Sequence, residues 1–179
     1  MESTLSDKVP PHNIEAEQAV LGALLLDWAA MANIVASLKT DRFYSLQNQV
    51  IFSAMLKLYS QNITGDTISL INELTVEGKL EQAGGAAYIA SLTDTVPSAA
   101  NIESYAEIVM DRAARRDLIK ISSELKASAF DLQTASDTLL DGAEQKIFAL
   151  SEKNETTQFY DAQSIMVKEI ELIEARYKS

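Results

Sequence analysis

The stretch VPPHNIEAEQAVLGALLLD, Val9 to Asp27, decides how the chain is read. Pro10 and Pro11 hold the backbone extended, and Asn13 stands where a helix N-cap belongs. Glu15 and Glu17 fall in the first turn, where the macrodipole favours negative charge, and they read more simply as first-turn acids than as an acid/base pair. Ile14, Leu21, Leu25 and Trp28, with Val20 and Leu24 beside them, then form a broad apolar stripe on one helical face. The uncharged runs AVLGALLL and WAAMANIVASL are too short to span a bilayer and are separated by Asp27. The helix is therefore expected to serve a protein core.

Outward from this helix the pattern stays helical. MANIVASLK carries Met31, Ile34, Val35 and Leu38, and SLQNQVIFSAMLKLYS carries Val50, Ile51, Ala54, Met55 and Leu58. Gly65 marks a turn. DTISLINELTVEG reads as a short helix capped by Asp66, Thr67 or Ser69 and stopped at Gly78, and Gly84–Gly85 opens AAYIASL. No window alternates for long enough to argue a strand. From Pro97 the chain runs without Pro or Gly through Ile102, Tyr105, Val109, Ile121 and Leu125. A capping signal at Thr134 to Asp137 then starts a second arm, with Leu140, Ala143, Ile147 and Leu150 spaced three and four apart. Two facing stripes joined by a short polar connection predict an antiparallel hairpin. SEKNETTQFYDAQ loses the period and reads as a linker, and SIMVKEIELIEARYKS repeats Met166, Ile170, Ile173 and Tyr177 at helical spacing. A helix this short is marginal alone, so its stripe needs another surface.

The expected fold class is all-α: a compact multi-helix N-terminal domain, then an antiparallel helical hairpin and a C-terminal linker helix. The expected divisions are a flexible tail 1–12, a globular subdomain 13–97, a hairpin 98–152, a linker 153–163 and an amphipathic helix 164–179.

Composition narrows the function. A formal charge of −11 on 179 residues argues against the whole surface tracking a phosphate backbone. With no cysteine there are neither disulfides nor thiolate metal sites. MESTLSDK lacks the basic and apolar parts of a signal peptide, so a cytoplasmic location without membrane association is the default expectation. No glycine pair satisfies a P-loop, and His12 is the lone histidine, next to two prolines; a capping or surface role suits it better than catalysis. No catalytic, cofactor-binding or metal-ligating residue is therefore assigned. The one basic cluster, Arg112, Arg116 and Lys120 with Arg115, lines one side of the first hairpin arm. It reads either as a contact with a partner or nucleic acid, or as a solvated face paired with Asp111 and Asp117.

The stretch PPHNIEAEQAVLGALLLD strongly resembles the amino-terminal signature of bacterial DnaB-type replicative DNA helicases. RFYSLQNQVIFSAM, GDTISLINEL, GKLEQAGGAAYIASLTDTVPSAANIESYAEIV and RAARRDLI are similar to that family in the same order, over about residues 9–150. Where the family usually has a His-Arg pair after the Phe-Tyr, this chain has Asn48 and Gln49, so no role of that histidine carries over. The resemblance implies a hexameric ring that uses ATP to move along single-stranded DNA and unwind the fork. Its amino-terminal domains pair through helical hairpins into a collar that contacts primase and, in some bacteria, a loader. Here that would involve Arg112, Arg116, Lys120, Leu140 and Ile147. A linker helix, here Met166, Ile170, Ile173 and Tyr177, would dock onto a neighbouring motor domain. The motor, with its P-loop, ATP and magnesium, normally follows a segment like IEARYKS. The resemblance thus implies a non-catalytic collar and linker, assembling from dimer to hexamer, with single-stranded DNA held by the motor. The rival reading is a stand-alone helical nucleic-acid-binding or adaptor protein, using TISLINEL and GGAAYIASL as a helix-turn-helix. Against it, AAYIASL offers no basic or amide side chain to read bases.

Overall fold

A computed structural model describes residues 9–155, and all regular structure among them is helical. The linker-helix residues Met166, Ile170, Ile173 and Tyr177 lie outside the described residues, as does most of the linker.

Helix α1, Ile14–Leu26, starts where the sequence placed it: the Asn13 side chain accepts from the Ala16 amide. Its surroundings differ from the expected one-sided stripe. Ala16, Ala19, Val20, Leu21, Ala23 and Leu24 are all buried, and so is Glu17. These positions cover most of the helix circumference, so α1 is a central helix. It packs against α6, Ile102–Ala129, and against the 3-10 turn Leu92–Thr95. Around it lie α2, Met31–Ile34; α3, Leu46–Ser60; α4, Thr67–Val76; and α5, Gly85–Ser91. Capping is local: the Ser45 side chain accepts from Asn48 N and the Asp66 side chain from Ser69 N. Phe43 and Phe52 meet with ring centroids 4.9 Å apart at the centre of the core. Trp28 lies over Gly65 so closely that a Cβ there would fall 2.2 Å from the indole ring, which is why that turn requires glycine.

Helices α3 and α4 are clasped by charge. Lys57 lies 2.5 Å from Glu73 and 2.6 Å from Glu77, and Glu77 also takes Lys79 at 2.9 Å. Hydrogen bonds from Lys57 and then Lys79 hold the Glu77 carboxyl down at about 2, from an ordinary 4.5. Hydrogen bonds to Glu73 and Glu77 push Lys57 up to about 12, from 10.5. A carboxyl depressed on folding stabilises above its unfolded value and loses that contribution as pH falls through the folded one. The clasp should therefore weaken between pH 4.5 and about 2. Glu77→Gln should flatten that part of a melting-temperature profile while leaving its slope near neutrality unchanged. A variant whose acid limb matches the parent's would show that the clasp adds nothing.

The long helix α6 joins body to hairpin. Ile102, Ala106, Val109 and Ala113 recur at spacings of three and four and are buried against the body. Beyond Ala113 no described residue is fully buried. Helix α7, Ser136–Glu155, returns beside α6 and extends past the boundary at 152 expected from the loss of helical period. The hairpin is present, but its register departs from the sequence reading. Leu139, Ala143 and Leu150 are the half-buried residues that α7 turns inward, opposite half-buried Ile121 and Leu125 on α6. Leu140 is 65% exposed and Ile147 51% exposed, so they do not face the first arm. The inward row includes the polar Lys146, which reaches Glu124 at 2.8 Å; a row interrupted by lysine is masked when only apolar letters are followed.

Candidate functional site

Two features stand out from the residues upward: an apolar face on the hairpin and a polar cluster at its root. On α7, Leu140 and Ile147 lie one heptad apart and therefore share a face. Phe148 adjoins it at 64% exposed, and a shallow hollow runs between Glu144, Gln145, Ile147, Phe148 and Ser151. On α6, Leu118 and Ile119 are each 51% exposed, and Phe130 and Leu132 in the turn that follows are 76% and 95% exposed. Two helices alone can cover each other along only one stripe, so the remaining apolar side chains stay in water.

The basic cluster is distributed otherwise than its sequence spacing suggests. Arg112 reaches Asp111 at 2.7 Å, and Arg115 reaches the same carboxylate at 2.9 Å. The Arg115 hydrogen bond, first of all, holds Asp111 below the usual carboxylate range. Lys120 remains exposed on the cleft between the arms, near Glu124 and Lys146. Arg116 turns to the body: Nη1 donates to the Pro11 carbonyl at 2.8 Å and Nη2 to the Arg42 carbonyl at 2.6 Å. Asp117 takes Arg42 Nη1 at 2.8 Å. The cluster thus does not form one free cationic stripe.

Sequence reasoning missed the polar centre beneath it. Glu17, 1% exposed, accepts from Tyr44 N at 2.6 Å, Ser45 N at 3.2 Å and Asn48 Nδ2 at 2.9 Å. Asn48 in turn accepts from the Tyr88 hydroxyl at 2.8 Å, and Gln18 Nε2 donates to that hydroxyl at 3.2 Å. The amide at position 48 donates on one side and accepts on the other, which completes the chain. The signal was available: Glu17 stands three and four residues before Val20 and Leu21, on the core side of α1. His12, assigned to a flexible tail, stacks on Tyr44 at 4.5 Å and 13°, and its Nδ1 lies 2.7 Å from the Pro10 carbonyl. Among the described residues no group of three His, Asp or Glu could hold a metal ion, and no helix is long and apolar enough to cross a membrane.

A family model described as the DnaB-like helicase N terminal domain matches residues 9–111. The replicative DNA helicase DnaB of Treponema pallidum is 39% identical over 98% of this chain, and that of Geobacillus stearothermophilus 36% identical over 97%. The chain spans 40% and 38% of those two relatives. Among solved structures, the N-terminal domain of DnaB helicase from Mycobacterium tuberculosis superposes with a TM-score of 0.73 at 33% identity, covering 79% of this chain and 99% of that one. A DnaB-like replicative helicase studied with its interactions with primase has the same fold, with a TM-score of 0.64 at 22% identity, covering 89% of this chain and 35% of that one. A buried core, a projecting hairpin and collinear relatives over nearly the whole length agree: the chain belongs to the family of DnaB replicative helicases and corresponds to their N-terminal domain.

Proposed function

We propose that this chain is the assembly and recruitment part of a hexameric, ATP-dependent helicase that unwinds DNA at the replication fork in the cytoplasm, and that it performs no catalysis itself. One observation carries the reading: after Ala113 nothing described is buried, although Leu118, Ile119, Leu140, Ile147 and Phe148 are large and apolar. Such a hairpin is half of a bundle. A second hairpin laid against it would complete four helices, and each Leu or Ile covered would contribute about 1.5–3 kcal/mol before association costs. The family supports the rest of the assignment: a collar built from such pairs, primase bound to it, a loader in some settings, and ATP, magnesium and single-stranded DNA held by a motor domain. Arg112 and Lys120 would then lie on the hairpin's partner surface. Met166, Ile170, Ile173 and Tyr177 would dock onto a neighbouring motor. The stand-alone nucleic-acid-binding reading is weakened by the way Arg112, Arg115 and Arg116 are engaged within the chain.

Replacing both Leu140 and Ile147 by Asp should reduce the mass seen by light scattering to that of a single chain, with little loss of helicity, because both positions face water in the isolated chain. Primase added to the parent chain should shift the sedimentation boundary, and no ATP should turn over. A parent chain that stays single at high concentration, or a double variant with unaltered mass, would overturn the pairing.

A further inference from the structure

We infer that Arg116 and the segment 9–12 form a latch that fixes the angle at which the hairpin leaves the body. The buried face of α6 ends at Ala113, and its next anchors to the body are Arg116 and Asp117. These anchors act at the fulcrum, where a small displacement is magnified along the remaining turns of α6. The Arg116 fork joins two separate pieces of chain, Pro11 before α1 and Arg42 before α3, through their carbonyls. Its Cζ lies 5.6 Å from the centroid of the Tyr44 ring, on which His12 is stacked, so residues 11 and 12 reach the same root. The Tyr44 backbone is itself held by buried Glu17. The hairpin root is thus wired to the core on one side and to the N-terminal segment on the other. Withdrawing Pro11 and His12 would remove one of the two Arg116 acceptors and the cover of Tyr44, yet leave the buried face of α6 in place. The segment acts as a pin: seated, it holds the hairpin in one direction; pulled away, it lets the hairpin swing.

The chain has no cysteine, so label sites can be placed singly. Spin labels at Thr75→Cys on the body and Ser136→Cys on the hairpin, both exposed positions, report the angle by pulsed electron resonance. Excess unlabelled chain removes distances between copies. A second pair, Ala32→Cys with Thr75→Cys, lies within the body. Deleting residues 1–12, and separately Arg116→Lys, should shift and broaden the body–hairpin distances while the within-body pair stays sharp. The lysine keeps the charge but cannot present a planar fork to two carbonyls. Arg116→Ala should behave in the same way, and if it fails to fold the other two variants decide. Unchanged body–hairpin distances in both would overturn the latch. Equal broadening of the within-body pair would also overturn it, because Arg116 would then serve general stability.

Discussion

Glu17→Ala should destabilise the chain by about 3–5 kcal/mol, read as a lower midpoint in urea denaturation followed by circular dichroism. Three donors converge on this carboxylate, two of them backbone amides at the start of α3. Alanine would strand them in a site where Asn48 is 0% exposed, and each unmade bond costs about 1–3 kcal/mol. Water entering the space would recover part of the loss, which keeps the total below the simple sum. Glu17→Gln separates charge from shape. It leaves one acceptor oxygen but points an amide NH2 toward donors, so it should fall between the parent and alanine. A loss of under about 1 kcal/mol for alanine would show that the network is readily replaced by solvent.

Gly22→Ala should cost about 3 kcal/mol, at the upper end for overpacking. Its Cβ would come 2.1 Å from the Leu92 carbonyl oxygen and 2.7 Å from Thr95 Oγ1. The nearer atom is backbone, held in the 3-10 turn that packs along α1, so no rotamer change relieves it. The turn would have to move away from α1, opening space around Leu21 and Leu92, both fully buried. A thermal melt within about 1 kcal/mol of the parent would mean that the turn yields easily. The contrast with Gly142, where a Cβ meets nothing within 4 Å, supplies the control: alanine there should be neutral or slightly stabilising.

Much of this architecture was readable because its causes are local. Asn13 and Asp66 cap their helices through side-chain contacts three residues away, and such spacing is visible in a string of letters. The continuous helix from Ile102 needed only the absence of Pro and Gly. What escaped were features set by partners far along the chain. Glu17 is 31 residues from Asn48 and Arg116 is 105 from Pro11, so neither contact leaves a periodic trace. Glu17 looked like a first-turn acid, and it is one, but its side of the helix faces the core. The hairpin register failed for a related reason: Lys146 occupies the inward row, so counting apolar residues selected the outward row of Leu140 and Ile147 instead. Both are uncovered rather than packed against the first arm.

The single tryptophan, Trp28, sits on Gly65 and meets Tyr59 edge-on at 6.3 Å, entirely within the body. Its intrinsic fluorescence is consequently a private reporter of that body and blind to α7. Ellipticity, by contrast, sums every helix of the chain, so a gap between the two optical signals on heating reports helix lost outside the body.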